Sequence, residues 1–136
     1  MSSSTSLPPV KLKPQEAFDR LVSGNDRFCA GLRSVDSIFS VSKMEEYARS
    51  GQTPFATILT CSDSRAPVEM IFDQGLGDLF VVRVAGNVVA PSLLASIEFA
   101  VSNFRSPLIL VMGHTSCGAI QATYQHVLNP ADALPS

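Results

Sequence analysis

The spacing of apolar residues changes near residue 54. Before that point they recur at helical intervals. Phe18, Leu21 and Val22 follow Pro14, whose missing N–H costs nothing at the first position of a helix, and Gly24-Asn25 is expected to end or bend the run. A second helix is expected over 42–49, with Met44, Tyr47 and Ala48 on one side and Gly51 as its stop. After residue 54 come three short apolar runs, 55–60, 79–85 and 108–112, the first with no polar alternation, as expected of a strand covered on both faces. Between the second and third runs, Leu93, Ile97, Ala100, Val101 and Phe104 form the buried stripe of a helix over 92–104, with Ser92 as its cap. The crossover between the first two runs has room only for a small helix around 68–72. Strand, helix, strand, helix, strand predicts an α/β fold with a mostly parallel sheet and right-handed crossovers.

Composition narrows the class. A chain of 136 residues with 46% hydrophobic and 16% charged residues can bury a real core and is not a disordered segment. A net charge of −2 supplies no basic field for nucleic acid or an anionic membrane, so neither is an expected partner. The apolar run over 107–112 is far short of the roughly 20 residues that span a bilayer. Residues 1–13, rich in Ser and Pro, are expected to be a flexible arm, and 14–136 a single domain. Cys29, Cys61 and Cys117 make an odd count without an export signal, so a disulfide framework explains them poorly. The cytoplasm is the expected compartment.

In open α/β sheets functional groups gather beyond the carboxyl ends of the strands, and the unusual residues of this chain sit there. Cys61-Ser62-Asp63-Ser64-Arg65 follows the first run and Gly113-His114-Thr115-Ser116-Cys117-Gly118 the third. If these strands are close in the sheet, Cys61, His114 and Cys117 converge. Two thiolates and an imidazole suit Zn²⁺ and leave a fourth position open, as in catalytic zinc sites. Each residue also has an ordinary reading: a lone buried Cys is a small apolar residue, Asp63 an N-cap and Arg65 a surface cation. A redox pair is less attractive, because there is no C-x-x-C and His114 would go unused. Asp63 is close enough to a ligating Cys to reach the open position, and Arg65 can hold it away through a bidentate pair. Zn²⁺ with two thiolates is formally neutral, and Asp63 as fourth ligand would make the site −1 and exclude an activated water. A pH-dependent switch between a closed, Asp63-ligated site and an open one follows as an expectation.

These two motifs, with Arg83-Val84-Ala85-Gly86-Asn87 between them, resemble the β-class carbonic anhydrases over about 52–123, and residues 24–28 resemble the segment after that family's first helix. The resemblance implies a mostly parallel sheet of about four strands flanked by helices, with an N-terminal helical arm. It implies one Zn²⁺ per chain, held by Cys61, His114 and Cys117, and reversible hydration of CO₂ to bicarbonate and a proton. The zinc-bound hydroxide would attack CO₂, oriented by Asp63 and Arg65. Gln52, Phe80, Ala85, Phe99 and Gly118 fall where the family contacts substrate. Part of that pocket comes from a neighbouring subunit, so a homodimer or higher even oligomer is implied, with residues 1–30 as the arm that wraps it. Arg83 and Asn87 read as structural, fixing the loop after the second strand, Cys29 as a bystander and His126 as exposed. Family members usually continue past the zinc helix with further helices and a strand, so the chain is expected to be a C-terminally short member or a fragment. Two alternatives are a weakly active or inactive zinc module with an assembly role, and a hydrolase of a CO₂ analogue such as CS₂ or COS.

Overall fold

The computed structural model describes residues 12–34 and 40–130. Except for Leu12 and Lys13, the expected arm over 1–13 lies outside the described residues, as does the chain beyond 130. Helices α1 (Pro14–Cys29) and α2 (Val41–Ser50) precede strand β1 (Ala56–Thr60). There follow a short α3 (Val68–Ile71), β2 (Leu79–Arg83), a 3₁₀ turn (Ala85–Asn87) and α4 (Pro91–Phe99). A wider π-type turn (Ala100–Phe104), β3 (Ile109–Met112) and α5 (Gly118–Leu128) complete the order. The expected α/β class and parallel sheet are present. The sheet has three strands among the described residues, in the order β2-β1-β3, one fewer than the count of about four. The sequence holds three suitable apolar runs, and each became a strand.

The central strand explains the core. β1 pairs in parallel with both neighbours, and all five of its residues are buried. On one face Ala56 and Ile58 pack with Leu79 under Ala17 and Leu21 of α1 and Val68 of α3. On the other, Leu59 and Val82 meet Ile97 of α4, with Phe80, Val84 and Leu93 beside them.

The helices correct three local expectations. Gly24-Asn25 neither ends nor bends α1, which runs on to Cys29. Gly24 is buried where α1 crosses the turn after α3, and a Cβ there would lie 1.7 Å from the Phe72 carbonyl oxygen. Asn25 Nδ2 donates to the Ile71 carbonyl at 3.0 Å, so both residues serve a tertiary contact that local propensity does not contain. Ser92 does not cap α4. Ala90 holds the cap position and Pro91 starts the helix, where its fixed φ fits. The α4 stripe is only partly buried, with Ile97 and Ala100 inside and Val101 exposed.

Candidate metal centre

Each strand of the parallel sheet delivers its following loop to the same end. The register pairs Thr60 with Arg83 on one side and Met112 on the other, so the loops after β1, β2 and β3 start side by side. This juxtaposition brings Cys61, His114 and Cys117 together, with candidate ligand atoms all within 4.8 Å of one another. The two sulfur atoms are 3.8 Å apart, and both cysteines are buried.

The polar groups around the cluster fix its chemistry. The Asp63 backbone N–H, the His114 ring and the Gly86 N–H outweigh burial and pull the Cys61 thiol down to about 6, which favours the thiolate. The Gly86 N–H donates to Cys61 Sγ at 3.3 Å. Gly86 has a φ of 69°, which a glycine adopts without cost. His114 Nδ1 lies 3.0 Å from the Thr115 carbonyl oxygen. Donation of an Nδ1 proton to that oxygen leaves Nε2 as the free lone pair. The Cys61 sulfur beside the ring raises its pKa against the opposing effect of burial. Nε2 is buried and has no hydrogen-bond partner among the described residues. An imidazole nitrogen facing two thiols, one of them with a lowered pKa, is a donor set suited to Zn²⁺.

Asp63 and Arg65 stand at the open side. The Arg65 guanidinium donates to both carboxylate oxygens, at 3.0 and 2.8 Å, and its backbone N–H adds a third bond at 2.9 Å. These bonds hold the Asp63 carboxyl well below the usual carboxylate range. Asp63 Oδ2 is 3.9 Å from His114 Nε2, so the carboxylate borders the cluster while engaged by Arg65. Arg65 also donates to the Ser116 carbonyl at 3.1 Å, tying the loop after β1 to the loop after β3.

The pocket residues fall into two groups. Gly118 begins α5 directly after Cys117, and exposed Ala85 begins the 3₁₀ turn next to Gly86. Phe80 and Phe99 lie on the α4 face of the sheet, where Phe104 completes a three-ring cluster with centroids 5.5–6.1 Å apart. Gln52 precedes the amino end of β1, away from the cluster within the same chain. It lines two cavities of about 420 and 440 Å³ there. Sequence reading missed Ser116, whose φ of 54° turns the His114–Cys117 loop. It also misplaced Arg83, whose guanidinium reaches the loop after β1.

Comparison with known proteins agrees with this geometry. Residues 56–134 match the family model for carbonic anhydrase. Carbonic anhydrase 2 of Mycobacterium tuberculosis is 50% identical over 109 residues, 80% of this chain and 52% of that protein. Among solved structures, the β-carbonic anhydrase CcaA superposes with a TM-score of 0.54 at 27% identity, over 88% of this chain and 69% of that one. A Coccomyxa β-carbonic anhydrase in complex with acetazolamide superposes at 0.57 with 26% identity, over 84% of this chain and 50% of that one. The chain spans about half the length of the curated relatives it matches. The family match over more than half of the chain, with these structural neighbours, places it in the β class of the carbonic anhydrase family.

Proposed function

We propose that the chain is a zinc-dependent carbonic anhydrase, converting CO₂ and water reversibly to bicarbonate and a proton. The observation that carries this reading is the convergence of Cys61, His114 and Cys117 beside a carboxylate that Arg65 keeps ionised. Cys61, His114 and Cys117 would hold one Zn²⁺. When bound, the ion supplies Lewis acidity that lowers the pKa of a coordinated water.

The chain's own groups do the rest. Asp63 accepts a hydrogen bond from the attacking oxygen and turns its lone pair toward the CO₂ carbon. Asp63 does not keep the proton released in the reaction, because Arg65 holds its carboxyl too acidic for that, so the proton passes to solvent. Phe80, Phe99 and Ala85 supply apolar surface to a substrate with no net dipole, and Gly118 leaves room beside Cys117. Gln52 reaches substrate from a second copy, since its own cluster lies at the other end of β1, which makes an even oligomer the working form. No helix among the described residues is long and apolar enough to cross a membrane.

Stopped-flow CO₂ hydration on protein of assayed zinc content tests the reading. Turnover at one zinc per chain is the expected result. Full zinc without hydration would replace it with the inactive zinc module.

A further inference from the structure

Arg83 ends β2 opposite Thr60, the last residue of β1. Beyond that pair the backbone ladder continues for only two bonds, Val84 N–H to the Thr60 carbonyl at 3.1 Å and Ser62 N–H to the Val84 carbonyl at 3.2 Å. Arg83 takes over where the ladder stops. Its Nε donates to the Cys61 carbonyl at 3.1 Å and its Nη2 to the Asp63 carbonyl at 2.8 Å. The side chain is exposed on the surface, yet its planar fork is committed to two peptide groups rather than to a carboxylate. Those peptides belong to the residue that offers a sulfur to the metal cluster and the residue that holds the carboxylate beside it.

We infer that Arg83 is a positioning residue of the metal centre. By fixing both carbonyls it sets the direction in which Cys61 Sγ points and keeps the Asp63 side chain turned to Arg65, so the ligand geometry exists before metal arrives. With the Gly86 N–H on Cys61 Sγ and Arg65 on the Ser116 carbonyl, it completes a set of links joining the loops after β1, β2 and β3. The inference rests on the reading of Cys61, His114 and Cys117 as the metal ligands. Partners one shell out from a metal typically tune its affinity by about 10–100-fold.

The test compares the wild-type chain with R83M, which keeps the aliphatic stem without a donor, and R83K, whose ammonium lacks the planar fork that places Nε and Nη2 on the two carbonyls. Zn²⁺ affinity by chelator competition, the Co²⁺ absorption spectrum and the thermal midpoint of the metal-free chain are read on all three. R83M is expected to bind Zn²⁺ about 10–100-fold more weakly with altered Co²⁺ bands, and R83K to fall between. Wild-type affinity and spectrum in R83M overturn the inference, including the case in which only the metal-free midpoint falls. If R83M does not fold, a folded R83K with wild-type affinity and spectrum overturns it. A wild-type chain that takes up neither ion overturns the ligand reading and this inference with it, whereas wild type and R83M binding alike sinks this inference alone.

Discussion

β1 and β3 are neighbours in one sheet, and both are short apolar runs that deliver metal-cluster residues from their carboxyl ends. They differ in every other respect. β1 is buried along its whole length, and the loop after it is fastened to β2 and its turn by two backbone bonds, the two Arg83 bonds and the Gly86 bond to sulfur. Among the described residues β3 is an edge strand, with Ile109 and Val111 roughly half exposed, at 48% and 60%. Its loop joins the β1 loop through Arg65 on the Ser116 carbonyl and turns through a positive φ at Ser116. The difference teaches that a strand's share of the core and its share of the site are separate quantities. β3 contributes less to burial but supplies two of the three candidate ligands, His114 and Cys117.

The largest expected effect tests whether the two loops are equal partners despite this. Cys61→Ser and Cys117→Ser should each abolish stoichiometric zinc binding and CO₂ hydration, because only two of the three ligands then remain. Metal analysis and stopped-flow rates check it. Zinc retained in Cys117→Ser alone would mean that Cys61 and His114 hold the ion without the second thiolate.

Next comes Asp63→Asn, which leaves the ligands in place. Zinc content should be unchanged, and turnover should fall about 100-fold, as expected when a group that orients the attacking oxygen is lost. The pH dependence has a definite sign. Arg65 depresses the Asp63 pKa in the folded chain, so the pair's stabilisation is fully present above the ordinary carboxylate value of about 4 and is lost as pH falls below it. Thermal melts should therefore show a wild-type advantage over Asp63→Asn that shrinks as pH falls from 5 toward 3. An advantage that does not shrink below pH 4 would mean that Arg65 does not depress the Asp63 pKa.

The smallest effects measure the strands themselves. Ile58→Ala in β1 should cost about 2–5 kcal/mol, as deletions from a full core do, while Val111→Ala in β3 should stay within about 0.5 kcal/mol. Chemical denaturation of the two variants checks the contrast. Equal costs would mean that the β3 edge is covered in solution.

Much of this was legible in the residues themselves. The unalternating run over 55–60 announced a doubly covered strand, and β1 is one. Nothing local in the run over 108–112 said that β3 would have a single strand neighbour among the described residues, because strand order is set by contacts distant in sequence. In α1, Leu21 is buried as the spacing suggests, but Phe18 and Val22 are exposed at 43% and 42% while Ala17 and Gly24 go inside. The face of a helix that turns inward is chosen by what lies against it, here β1 and the turn after α3.

By itself the sequence determined the alternation of strands and helices, the places where strands end, and the residue types that follow them. Side-chain period and strand propensity are local, and a parallel sheet sends every carboxyl end to one side. Cys61, Asp63, Arg65, His114 and Cys117 could therefore be named as candidates before any distance was known. Only the tertiary structure decided that β1 lies between the other two strands, that Gly24 serves a helix crossing, and that Arg83 reaches across to the β1 loop. Those facts depend on contacts between residues about 20 to 50 positions apart in the chain, and no local pattern encodes which of many such pairs will meet.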